Sequence, residues 1–402
     1  MKIFTHTSAI AIVLSTFIFF LAGAARGGQW TYDHQSHRLR HSTTEWVLAV
    51  SASDANLSVI GIFTQPKFPS TLPLDDAIVD GFKIAQIGIG AFSNSRYLAS
   101  VTLPNSVKDI DQNTFAACVN LTSVSLPDSV TNVSTSAFLL CASLTNISVA
   151  VGNPIYRSID GAVFDKTGAT LIMCPQGKKE YDVPDGTTSI WHWAFGYRDG
   201  LAAVSLPASV TNIGKRAFFN CEGLTNILVS ANNPIYCSID GVLFSKDETR
   251  LILYPAARKG TYKIPNSVTD IGDSAFEQCV NLTSVVIPNG VTSIGYAAFE
   301  RCSGLADMTI PNNVTNIGHS AFNECNGLTN VVIGSGVASI NGNTFSRCAN
   351  LTSVTIPDSV TSIGRDAFLN CVKLTSIAIP ASATNIHKDA FFRSGIQFDK
   401  VK

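Results

Sequence analysis

From about residue 86 to residue 395, apolar and polar positions recur on a 23-residue cycle. The stretch LTSVTIPDSVTSIGRDAFLNCVK, Leu351 to Lys373, is one full unit. Leu351, Val354 and Ile356 follow an L-x-x-L-x-L spacing, with Ser353 and Thr355 alternating between the last two as in a half-buried strand. Pro357 lacks a backbone donor and ends the pairing of that strand. Val360 and Ile363 return the chain to the core, and Gly364 predicts a turn that needs a permissive backbone. Ala367, Phe368 and Cys371 then fill the convex side.

Eleven phenylalanines keep this register: Phe92, Phe115, Phe138, Phe195, Phe218, Phe276, Phe299, Phe322, Phe345, Phe368 and Phe391. All but two of their gaps are 23 residues, and the exceptions are 57 and 58. A fixed period of this length is the signature of a solenoid, in which one coil cannot bury its apolar face alone. The long gaps hold a second repeat: Asn153-Pro154-Ile155-Tyr156 matches Asn233-Pro234-Ile235-Tyr236, and Ser158-Ile159-Asp160-Gly161 matches Ser238-Ile239-Asp240-Gly241. Val163-Phe164 and Leu171-Ile172 predict strands around a polar turn, as do Leu243-Phe244 and Leu251-Ile252, so each insert (about 150–186 and 230–267) reads as a β-hairpin on an extended coil. Residues 26–85 lack the repeat, predict strands at Trp46–Val50 and Leu57–Ile62, and are expected to cap the open end.

The unit L-T-S-V-x-I-P-x-S-V-T-x-I-G-x-x-A-F-x-x-C-x-x resembles the 23-residue repeat of BspA-like leucine-rich-repeat surface proteins, and S-I-D-G-V-L-F-S-K-D is similar to an insert that often accompanies it. The resemblance spans residues 86 to 395 and implies a leucine-rich-repeat solenoid over 86–402. Its expected form is a parallel β-sheet on one face, short turns or irregular or helical segments on the convex side, β-hairpin inserts and an N-terminal β-rich cap. The resemblance further implies a secreted or surface-displayed protein, since some members are adhesins that bind host matrix proteins or other cells. It carries no catalytic motif.

Charge narrows the partners. Charged residues are 14% of the chain and the net charge is −1, so no basic face for a phosphate backbone is implied and nucleic acid is excluded. Lys2, the apolar run Ala9 to Leu21 and the small residues Ala22-Gly23-Ala24-Ala25 form a secretory signal pattern over residues 1–25. After its removal no membrane span is expected, and the chain is read as secreted, extracellular or on a cell surface. Cys118, Cys141, Cys221, Cys279, Cys302, Cys325, Cys348 and Cys371 each lie three residues after a repeat phenylalanine. Stacked coils hold their Cβ vectors parallel, which does not suit a disulfide, so these read as buried free thiols. Cys174 and Cys237 fall in different inserts.

One coil departs from the rest. In Ile190-Trp191-His192-Trp193-Ala194-Phe195-Gly196-Tyr197-Arg198, Trp191 replaces the usual glycine and two of the four tryptophans come together. Clustered surface aromatics suit carbohydrate stacking or a protein contact, and packing against the preceding insert is the plainer alternative. Trp191, His192, Trp193 and Tyr197 are the candidate ligand-binding residues, with Tyr296 at the His192 position of another coil. The exposed strand positions, Thr102, Ser125, Thr309 and Thr355 among them, form a hydroxyl-rich face without aromatic or arginine anchors. His34, His37 and His41 fit no standard metal spacing, and Asp160-Gly161 and Asp240-Gly241 lack the alternating acids of a calcium loop and read as tight turns. No cofactor and no catalytic residue is implied. The expectation is a non-enzymatic recognition or adhesion protein for an extracellular protein or glycan, with a structural, self-assembling repeat protein as the alternative and the oligomeric state left open.

Overall fold

In a computed structural model, residues 30–41, 47–53, 56–64, 70–74, 78–79 and 82–396 are described. The signal segment and Trp46 lie outside them. Each coil but the last lays down two short strands, such as Ser123–Leu126 and Asn132–Val133, followed by a run of turns around its phenylalanine; the last keeps only Asn385–Ile386. The first strands stack in parallel one repeat apart: Val124 pairs with Val101 below and Ile147 above. The second strands form a separate narrow ladder, with Asn132 opposite Asp109 and Ser362 opposite both Ser339 and Asn385. This second ladder was not anticipated, because only two residues of each coil take part in it. Among the described residues there is no helix, so the convex side is built of turns alone.

The phenylalanine column is a ring stack in three runs, Phe92 to Phe138, Phe195 to Phe218 and Phe276 to Phe391. Consecutive rings within each uninterrupted run lie 4.7 to 5.5 Å apart and within 3° to 14° of parallel. Beside it the column thiols are free, and each of seven donates to the carbonyl of the phenylalanine one coil back, at 2.9 to 3.2 Å. A thiol therefore fits the column better than a methyl group, because it fills the space and also satisfies a buried acceptor. Burial pushes the Cys371 thiol up to about 12, and those of Cys325 and Cys348 well above the ordinary thiol range.

Gly364 has a different cause from the one expected. Its φ is not in the left-handed region. A Cβ there would lie 2.7 Å from the backbone nitrogen of Gly342 in the preceding coil, so the glycine answers close approach of the backbone. The left-handed positions are instead two residues before and two after the phenylalanine, as at Asn113 and Ala117 or Ala297 and Arg301. Side chains there vary, yet none is β-branched, the class that tolerates this conformation least.

Each insert is a three-stranded antiparallel meander. Tyr156–Ile159 pairs with Ala162–Asp165 around Asp160-Gly161, and Ala162–Asp165 pairs with Thr170–Met173. Asp160 and Gly161 both have positive φ (48° and 75°), the requirement of a two-residue hairpin turn. Thr170–Met173 then carries the second ladder on to Ser189–Ile190. The strand Ala162–Asp165 works as a wall: Val163 faces one hydrophobic cluster, while Ala162 and Phe164 face the next. The second insert repeats the device, so the core is divided into three clusters at the two inserts.

Asn153 and Asn233 pin the inserts. Each is fully buried, donates from Nδ2 to two carbonyls of the preceding coil at 2.8 and 2.9 Å, and accepts two backbone amides on Oδ1. At the N-terminal end Ser70–Pro73 pairs with Leu98–Thr102, and Asn56–Thr64 with Phe82–Ile87, so strands before the repeat cover both ladders. His34 and His37 pack on Tyr32 there, whose hydroxyl lies 3.0 Å from His37 Nδ1.

Candidate functional site

The first insert interrupts the second ladder. That ladder ends at Asn132–Val133 and resumes with the insert strand Thr170–Met173. Between the two runs lies a groove of about 490 Å³, within the size range of small-molecule sites. Asp111, Asn132 and Ser134 line one wall; Tyr156 and Ile172 close the insert side, and Trp191 with His192 stands opposite. The Tyr156 hydroxyl donates to the Thr131 carbonyl at 3.3 Å, tying the insert to the last strand before it.

Trp191 is held on two sides. Its amide donates to the Leu171 carbonyl at 2.8 Å, and its ring lies 4.6 Å from that of His192. The indole remains 44% exposed, so one face is available to the groove. Trp193 and Tyr197 go elsewhere. They occupy the left-handed positions on either side of Phe195 (φ 62° and 59°) and stack on each other at 5.8 Å, with Phe219 against both. Arg216 covers Phe219 at 5.1 Å and reaches across the second insert to Glu277 at 3.0 Å and Glu300 at 3.6 Å. That cluster is a packed brace. Tyr296 stands exposed beyond the second insert, just after the strand Ser293–Ile294 of another ladder, with its amide donating to Asp273 Oδ1. The five candidates thus separate into three places, and of the five only Trp191 and His192 line the groove.

Sequence reading missed Asp111, Asn132, Ser134 and Tyr156. The signal was in the glycine column four residues before each phenylalanine: it reads Asp111, Ser134 and Trp191 around the first insert. It also missed Arg198, which takes the place of the column cysteine. Arg198 is 3% exposed and donates to the carbonyls of Cys174 (Nε, 2.6 Å) and Gly196. The matching pair at the second insert is Tyr254 and Cys279, where the thiol faces the Tyr254 carbonyl at 3.7 Å. A small residue with a large one at the first insert thus answers a large one with a small one at the second.

The family described as BspA type Leucine rich repeat region matches in six copies over residues 68–182, 174–247 and 262–397. A leucine-rich repeat protein from Eubacterium ventriosum has a similar structure, with 25% identity, a TM-score of 0.56, and coverage of 89% of this chain and 94% of its own. The pneumococcal vaccine antigen PcpA aligns at 19% identity and a TM-score of 0.44, covering 94% of this chain and 100% of its own. A leucine rich cell surface protein from Faecalibacterium prausnitzii aligns at 22% identity and a TM-score of 0.42, covering 83% and 96%. No relative was found among curated proteins.

Proposed function

This chain belongs to the BspA type leucine-rich-repeat family, and from that premise we propose that it is a secreted or surface-associated recognition and adhesion protein without enzymatic activity. Its repeat scaffold holds an extracellular protein or glycan ligand. Residues 1–25 serve export, residues 26–85 cap the array, and residues 86–402 form the recognition scaffold. The observation that carries this reading is the convergence of the exceptions. Most columns of the array are explained by packing, yet of the five residues that replace the column glycine, Asp111, Ser134 and Trp191 line one groove, while Asn341 and His387 stand elsewhere. A site with an exposed aromatic platform, polar walls and a strand-anchored floor binds without needing a nucleophile or a metal.

The test is a panel of immobilised extracellular matrix proteins and glycans, probed with the mature chain and followed by light scattering of the free protein. Saturable retention of at least one ligand by a monomer supports recognition. Retention of nothing, together with concentration-dependent oligomers, supports the self-assembling alternative and refutes this reading.

A further inference from the structure

We propose that the groove at the first insert is a carbohydrate-binding subsite in which a neutral sugar ring stacks on Trp191. The inference rests on the recognition reading above and narrows it to one chemistry. A sugar ring offers an apolar C–H face and a rim of hydroxyl groups, so its receptor needs a flat aromatic surface beside hydrogen-bond acceptors. Both are present. The Trp191 indole is half-exposed, its backbone amide donates a hydrogen bond to the Leu171 carbonyl, and the His192 ring packs beside it at 4.6 Å. Across the groove stand the Asp111 carboxylate and the side chains of Asn132 and Ser134. The ladder also ends here. Asn132–Val133 is its last strand, and the Tyr156 hydroxyl from the insert closes on the adjoining Thr131 carbonyl.

The placement of Trp191 follows from the same interruption. At its position Gly88, Gly214, Gly272, Gly295, Gly318 and Gly364 stand in other coils. A Cβ at Gly214, Gly295 or Gly318 would come within 2.5 to 2.6 Å of backbone in the preceding coil. Directly after an insert the preceding element is a hairpin strand, and at Gly272 the nearest atom is a single carbonyl oxygen at 2.9 Å. After an insert the backbone thus stands farther off than at Gly214, Gly295 or Gly318, and the first insert uses that room for an indole. The second insert supplies an internal contrast, because the residue matching Trp191 there is Gly272.

Two rival ligands fit less well. An added peptide strand needs an open strand edge, and the Tyr156 hydroxyl already occupies the Thr131 carbonyl of that edge. An anionic polymer needs cations, and no lysine or arginine lines the groove while Asp111 does.

The experiment is an array of neutral, sialylated and sulfated oligosaccharides probed with the mature protein, then calorimetric titration of the neutral oligosaccharide retained best. Trp191→Gly restores the residue that the array itself uses and is expected to fold, as its melting curve will show. It should weaken binding roughly thirtyfold, the size of a lost interfacial hot spot, while Trp193→Ala in the packed brace changes affinity by less than about twofold. If Trp191→Gly does not fold, Asp111→Asn carries the prediction, with weakening of about tenfold. Neutral-glycan binding that Trp191→Gly leaves intact, or retention of acidic glycans alone, overturns the inference. Retention of matrix proteins with no glycan overturns it too but leaves the recognition reading standing, whereas retention of neither removes both.

Discussion

Removing one ring from the middle of the phenylalanine stack tests what holds the array together. Phe322 is fully buried, with Phe299 at 5.2 Å on one side and Phe345 at 5.3 Å on the other, both within 7° of parallel. Truncation to alanine loses the burial of the ring and leaves a cavity walled by neighbours that repeat above and below, so it has little room to collapse. Phe→Ala at such sites costs about 3–5 kcal/mol. Up to about 1 kcal/mol of stacking per neighbouring ring belongs within that range. Phe391 lies in the last described coil, with Phe368 stacked at 5.2 Å, and its loss opens that coil without dividing the array. Phe391→Ala should therefore cost less than Phe322→Ala. Urea unfolding followed by far-ultraviolet circular dichroism measures both. A loss under about 1 kcal/mol for Phe322→Ala, or equal losses for the two variants, would refute the ring stack as the main cohesive element.

Other expectations concern the columns beside it. In native protein Cys237, the half-buried thiol of the second insert, should alkylate first, while the column thiols react only on unfolding; mass spectrometry of peptides from a timed labelling series decides this, and a disulfide between column residues would contradict it. Cys174→Tyr and Arg198→Cys should couple favourably by about 1–3 kcal/mol in a double-mutant cycle, because together they recreate the Tyr254–Cys279 pair; additive losses would deny that the two positions share one space. Glu324 faces burial, which raises its carboxyl, but the hydrogen bonds from Arg347 and Arg301 outweigh it and hold the group below the usual range. Its contribution is present above the unfolded value of about 4.3 and fades as pH falls through the lower folded value, so Glu324→Gln should flatten the melting temperature between about pH 5 and 3. An unchanged acid limb would show that the pairs are too well solvated to matter.

Much of the architecture was legible because it repeats. Phe368 and Cys371 are two of many copies, and the 23-residue spacing alone places them in stacked columns. The inserts were readable for the same reason, although the third strand, Tyr156–Ile159, escaped notice. Gly364 was located correctly and explained wrongly, since closeness between coils leaves no mark in the sequence of one coil. The left-handed columns were invisible because their only common property is the absence of a β-branch. The candidate site was legible by half. Trp191 and His192 announce themselves, but Trp193 and Tyr197 are adjacent in sequence and turn to the brace with Phe219. Asp111 and Trp191 are 80 residues apart and meet across one groove only because an insert breaks the ladder between them.

The most direct measurement of the account is fluorine NMR of the protein labelled with 5-fluorotryptophan, titrated with a retained ligand. The mature chain contains Trp30, Trp46, Trp191 and Trp193, so assignment needs one substitution for each signal. The Trp191 resonance should move with saturation, while that of Trp193, packed on Tyr197 and Phe219 in the brace, should stay within the shift of Trp30. A ligand that moves Trp193 and leaves Trp191 in place would contradict the assignment of recognition to the groove at the first insert.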